Sequence, residues 1–332
     1  LWVALLATAI ISALSAFFEP TSSAALPNLV EEEDLPVANV LLGSAWGTML
    51  AVGAAIGGVV AVVFGRDAAF LLDAASFALS AALIVRIRGS FGGASAGDRA
   101  TSASAPSSPA SLSTPTLNPP RRAWSGIFAA QVEALAFARS SHAVAAFLLA
   151  KATFGVGNGV ILLLAVFGAV VFDAGDVGIG LLFAARGLGA LLGPFVARLA
   201  FGFDQRGLVV GIGVAFFLFL GAYLALPMAP GLAVACGLVF VGHLGGGAQW
   251  TLSTTGLQRS TPDAIRGRIF SVDYGLVTLV GAISTIVAGV VAATYGPAAA
   301  IYSLAIPASL AAGAWVIWTR PLRRRDGATL PE

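Results

Sequence analysis

The chain has 332 residues, of which 58% are hydrophobic and only 10% charged, and its mean hydropathy is +0.92. A soluble domain carries about 25% charged residues to cover its water-facing surface. This composition excludes a soluble globule and predicts an all-α polytopic membrane protein, with the lipid bilayer as its solvent.

A helix needs about 20 predominantly apolar residues to cross a bilayer. In chain order the sequence offers nine such runs: 1–17, 40–64, 67–86, 143–171, 177–199, 207–226, 231–251, 270–293 and 297–319. Many of the 40 glycines fall inside them, where small residues let helix backbones approach closely. When the connections are alternated between the two sides, fifteen arginines collect on one side. They include Arg86, Arg139, Arg198, Arg206, Arg259, Arg266, Arg268, Arg320 and Arg323. Arginine-rich loops face the cytoplasm, so the C-terminus is expected inside and Leu1 outside. This placement explains the net charge of +2 as a topology signal, and no nucleic-acid partner is expected.

Between the third and fourth runs, residues 89–124 are rich in Ser, Ala, Gly and Pro and read as a cytoplasmic linker. After it, Ile127, Phe128, Val132, Leu135 and Phe137 alternate with Gln131, Glu133 and Arg139. Residues 125–140 are thus either an amphipathic helix on the inner membrane surface or an extension of the next span. Four regions follow: 1–88, a partial N-terminal bundle; 89–141, the linker with its possible amphipathic helix; 142–320, a six-helix bundle; and 321–332, a basic cytoplasmic tail.

A shift of 231 residues lays Gly58-Val59-Val60-Ala61 and Gly65 over Gly289-Val290-Val291-Ala292 and Gly296. The same offset lays runs one to three over runs seven to nine. Runs four to six then have no counterpart. A symmetric parent predicts about three further helices upstream of Leu1.

Local sequence points to a family. The run Phe18-Glu19-Pro20, Ala25 to Val30, Leu35 and Ala38-Asn39 resembles the connection between helices 4 and 5 in bacterial exporters of the Major Facilitator Superfamily, including relatives of siderophore and drug exporters. Gly53-Ala54-Ala55-Ile56-Gly57-Gly58 resembles the antiporter motif of helix 5, with Ala54 in place of its proline. Pro262-Asp263 with Arg266-Gly267-Arg268 resembles the helix 10–11 connection. The resemblance implies a two-bundle fold of which helices 4–12 are present. It also implies a central cavity lined by the runs 1–17, 143–171 and 231–251, and a cytoplasmic gate that includes Arg259, Asp263, Arg266 and Arg268. Arg198, Asp204 and Arg206 form a degenerate version of the superfamily's loop signature.

Ionisable groups inside a span are expensive and default to function. Arg186 lies mid-span, either binding substrate or forming a structural ion pair between the halves. Lys151 either serves an anionic group or snorkels to the interface. His243 exchanges protons near neutral pH or packs through hydrogen bonds. Glu19 is placed to pair across the gate with Arg259 or Arg266. Asn158, Gln249 and Trp250 are expected cavity contacts. Asp73 and Asp273 read as local ion pairs or caps, the latter beside Arg266 and Arg268. Trp315 and Trp318 read as an interfacial belt.

No metal centre or cofactor is expected, because the lone Cys236 and two distant histidines supply no ligand cluster. The sequence has no P-loop or H-E-x-x-H motif, so an enzyme is not expected. The resemblance implies a monomeric secondary transporter of a bacterial inner membrane that exports a small amphipathic molecule against protons by alternating access. Uptake or facilitated diffusion, and a non-transporting membrane fragment, stay open as alternatives.

Overall fold

The computed structural model describes residues 2–86 and 123–324. Most of the expected linker and of the basic tail therefore lies outside the described residues. What is described is an all-α polytopic membrane fold. Its first three helices are α1 (Trp2–Ala25), α2 (Leu35–Phe64) and α3 (Arg66–Val85). After α4 (Ala123–Ser140) come α5 (His142–Gly157), α6 (Val160–Val166), α7 (Gly175–Phe201), α8 (Gln205–Ala225) and α9 (Leu232–Ser260). The chain continues through α10 (Asp263–Tyr295), α11 (Pro297–Trp318) and the short α12 (Arg320–Arg324). Every predicted run has a helical counterpart. Seven spans among the described residues are long and apolar enough to cross a membrane.

The helices are longer than the hydropathy runs at one end of the molecule. Helix α9 continues through Thr251–Ser260, where Thr251, Ser253, Thr254, Thr255 and Gln258 are all buried. These side chains meet protein rather than water, so the helix keeps its polar last turns inside. Helix α4 is a separate helix and not an extension of α5. Ser141 breaks the two with an extended backbone and caps α5 by accepting a hydrogen bond from Val144 N–H. Ala134 and Ala138 of α4 are buried, and the helix packs on α10.

The repeat offset has a structural echo. Gly65 joins α2 to α3 at φ 86°, ψ 162°, and Gly296 joins α10 to α11 at φ 88°, ψ 166°. Both are positive-φ positions where a side chain would strain the backbone. Two glycines 231 residues apart therefore make the same corner.

The fourth span is broken. At Gly157–Asn158–Gly159 the α-helical ladder is interrupted, and Ser284 of α10 takes up the freed groups. Its hydroxyl donates to Val156 O at 2.6 Å and accepts from Gly159 N–H at 2.9 Å. A neighbouring serine that re-satisfies broken backbone is what lets such a break persist in hydrocarbon. A π-helical turn, Phe167–Val171, follows α6.

The six helical spans from His142 onward share one core, including Phe147, Leu163, Phe167, Ile212, Phe219, Leu252, Ile269 and Ile301. Backbones approach closely where glycines face a neighbour. A Cβ on Gly189 would lie 2.4 Å from Phe240 O, and one on Gly193 2.4 Å from Leu244 O. Helix α7 thus lies tight on α9. Helix α2 joins the same cluster through Gly47, whose Cβ would lie 2.3 Å from Leu191 N.

Trp315 corrects the interfacial-belt expectation. It is buried, and its indole N–H donates to Ala146 O at 2.7 Å, the partner a buried indole requires. Trp318 is partly exposed and packs on His142, with ring centroids 4.5 Å apart.

Candidate functional site

The arginine-bearing helix ends meet at one end of the bundle. Asn28 Nδ2 donates to Asp263 Oδ1 at 3.2 Å, and Arg259 donates to Phe203 O at 2.5 Å. Arg268 pairs with Glu133 at 2.6 Å. These contacts tie the α1–α2, α7–α8 and α9–α10 connections and the end of α4 to one face, called here the basic end.

The seam between the N-terminal helices and the rest is closed there mainly by amides. Asn39 donates to Gln258 Oε1 at 2.5 Å, and Gln258 Nε2 donates to Ser23 O at 2.9 Å. Ser44 donates to Leu191 O at 3.0 Å. The expected gate arginines act more locally. Arg266 bonds Asp263 of its own first turn at 2.9 Å, and Arg259 holds the Gly202–Asp204 turn. Among the described residues Glu19 pairs with neither Arg259 nor Arg266, whose bonds run to Phe203 O and Asp263 instead. Asp263 is the gate residue that does cross the seam, through Asn28.

Just inside this closure lies a void of about 30 Å³. It is lined by Glu19, Pro20 and Ser23 of α1, Lys151 of α5, Trp250 and Thr254 of α9, and Phe270, Asp273, Tyr274 and Val277 of α10. Lys151 and Asp273 are nine and ten residues beyond the first residues of α5 and α10, or about 15 Å along the axes at 1.5 Å per residue. Trp250 is ten residues before the end of α9, at similar depth. Four helices thus deliver their polar and aromatic side chains to one layer.

At that layer Lys151 Nζ bonds Asp273 Oδ2 at 2.5 Å, and both side chains are at most 5% exposed. Lys151 Nζ also lies 4.8 Å from the Trp250 ring centroid and 5.7 Å from that of Phe270, distances at which an ammonium is attracted to an aromatic face. The second carboxylate oxygen, Asp273 Oδ1, and the hydroxyl of Thr254 are buried without a hydrogen-bond partner among the described residues. The void they line has the volume of about one water molecule.

This arrangement overturns two expectations. Lys151 does not snorkel, because it is buried and its charge is met inside. Asp273 does not pair with Arg266 or Arg268. Its partner is 122 residues away on another helix, because α10 carries the carboxylate about one and a half to two turns further inward than the arginines.

The other sequence-predicted residues fall elsewhere. Arg186 of α7 lies over the Trp46 ring of α2 at 5.3 Å and the Phe183 ring at 5.9 Å. Its Nε is buried without a hydrogen-bond partner among the described residues. It therefore bridges the two halves through aromatic faces. His243 hydrogen-bonds Tyr223 at 2.9 Å and meets the Phe219 ring edge-on, inside the C-terminal core and away from the void. Asn158 is at the break in the fourth span, against Gly281 of α10. Gln249 is fully buried, and neither amide atom has a partner among the described residues. Gly53 has open space around it; Gly57 and Gly58 lie in α2, with surroundings outside the description. Asp73 is exposed on α3.

Ser23, Thr254, Phe270, Tyr274 and Val277 line the void without having been singled out by the sequence, which assigns Asp273 to a local pair. Equal depth from the basic end was the available signal: Lys151, Trp250 and Asp273 are all nine or ten residues from helix ends that share one face.

No curated protein matches the chain in sequence. The family model described as Major Facilitator Superfamily matches residues 1–284. With its spans, its buried charged layer and that match, the chain belongs to the Major Facilitator Superfamily of membrane transporters, a family that moves small molecules across the bilayer and is not enzymatic.

Proposed function

We propose that the protein is a proton-coupled exporter of a small amphipathic molecule, acting as a monomer in a bacterial inner membrane with its basic end in the cytoplasm. The observation that carries this reading is the buried Lys151–Asp273 pair beside Glu19 and Trp250.

Removing one partner of a buried pair leaves an uncompensated charge and costs about 3–5 kcal/mol. Protonation of Asp273 has the same electrostatic consequence. Lys151 then holds a charge with no partner on α10. Glu19, on α1, is the other carboxylate lining the void. A proton that binds Asp273 thus frees the ammonium to turn toward α1, and the pairing passes from within the C-terminal helices to across the seam. Return of the proton to water restores the original pair. Exchange of this kind ties proton movement to the relative position of the halves, which is what alternating access requires. The amide bridges at Asn39, Gln258 and Ser23 close the basic end in the state described, so the site is cut off from that side while the pair is intact.

The antiporter-like glycines at Gly53, Gly57 and Gly58 support the direction of export. The test is flux of a panel of small amphipathic fluorescent compounds in vesicles containing the reconstituted chain. An imposed pH gradient should accelerate movement of a substrate against the proton flow. Flux that ignores the gradient would remove the proton-driven part, and accumulation in the same direction as the protons would make the protein an uptake carrier.

A further inference from the structure

A second cavity, of about 280 Å³, opens on the outside of the bundle between α8 and α11. Val209, Val210, Gly213, Val214 and Phe217 form one wall, Trp315 and Val316 the other, and Arg323 of α12 closes its basic end. Gly213 lies at the narrow part of the groove, where a Cβ would come into ordinary contact with the far wall, 3.5 Å from Val316 Cγ2. Phe217 is 77% exposed, so in a bilayer the rim faces acyl chains. The groove is apolar along its length and cationic at one end.

That end is built to hold its charge in place. The Arg323 guanidinium donates through Nη2 to Val316 O, a carbonyl near the end of α11, while its Nε has no partner among the described residues. Helix α12 packs on α8, and Leu322 beside Arg323 is 2% exposed, which anchors the turn. Arg206 at the start of α8 and Arg320 at the start of α12 are exposed at the same end. An arginine held at the mouth of an apolar slot matches one kind of molecule by both shape and charge.

We infer that this groove binds an anionic phospholipid, with one acyl chain against Gly213 and Val214 and the phosphate on Arg323. A zwitterionic lipid fills the slot equally well but brings its own cation to that arginine. Discrimination therefore comes from the headgroup end, and occupancy by the chain from the apolar walls.

Native mass spectrometry of the delipidated chain, titrated with phosphatidylglycerol and phosphatidylcholine of identical chains, tests this. The anionic lipid should bind about fivefold more tightly, because both lipids offer a phosphate to Arg323 but only phosphatidylcholine brings a cation against the arginine. Arg323→Gln should abolish that preference and Arg323→Lys should restore part of it. Val214→Trp, which fills the groove from a half-exposed position, should weaken both lipids. Arg198→Gln, an exposed arginine at the end of α7, should change nothing. A preference that survives both Arg323→Gln and Val214→Trp would overturn the proposal, as would a dimer in place of the lipid adduct, since a second copy would then cover the groove.

Discussion

Helices α3 and α8 are both apolar enough to cross a membrane, yet none of the spanning window of α3 is buried within the protein while 56% of that of α8 is. The same contrast runs through the two parts of the molecule. Leu6, Ile10, Leu14 and Phe17 of α1 and Phe70, Leu71 and Phe77 of α3 are exposed, whereas Ile212, Phe216 and Phe219 of α8 are not. In water such a difference would signal a folding defect. In hydrocarbon the lipid-facing surface is as apolar as the core, so hydropathy reports the solvent and not the packing. What separates the regions is the placement of small and polar residues: the later helices meet at Gly189, Gly193 and Ser284, at the Tyr223–His243 bond and at the Lys151–Asp273 pair.

That contrast ranks substitutions. Lys151→Ala leaves Asp273 charged and buried, and should cost about 3–5 kcal/mol, read as a large fall in Tm in detergent. Lys151→Met combined with Asp273→Met should recover most of it. Asp73→Asn on exposed α3 should stay within about 0.5 kcal/mol. If Lys151→Ala and Asp73→Asn proved equally costly, the regions would not differ as described.

Next come the helix seams. Gly193→Leu drives a side chain into the α9 backbone and should cost about 1–3 kcal/mol or more. Gly53→Leu, in open space on α2, should leave Tm nearly unchanged. Parallel thermal unfolding of the two variants sharpens the comparison directly.

The smallest effect belongs to the broken span. Ser284→Ala removes the hydroxyl that bridges Val156 O and Gly159 N–H, and interhelical hydrogen bonds in membranes average about 0.6 kcal/mol. The loss should appear as faster amide exchange at Gly159 with little change in Tm. A shift as large as that of Lys151→Ala would mean the break is the main structural support of α5.

The spans were legible in the sequence because hydrophobic length is a one-dimensional property. So was the corner shared by Gly65 and Gly296, because a repeated backbone conformation needs glycine at both copies. The site was only partly legible. Lys151, Trp250 and Glu19 drew attention as polar or aromatic residues near cavity spans, but an apolar helix has no polar face to show which way they point. Asp273 was read with its sequence neighbours Arg266 and Arg268, although a partner 122 residues away was at its depth. Asn39 and Gln258, 219 residues apart, were invisible for the same reason.

The most direct test of the central claim compares the native chain with the Lys151→Met, Asp273→Met double variant in vesicles. Substrate exchange is measured with and without an imposed pH gradient. The Lys151–Asp273 mechanism predicts that the double variant still exchanges substrate at zero gradient but no longer concentrates it when the gradient is applied. Undiminished gradient-driven accumulation by that variant would contradict it.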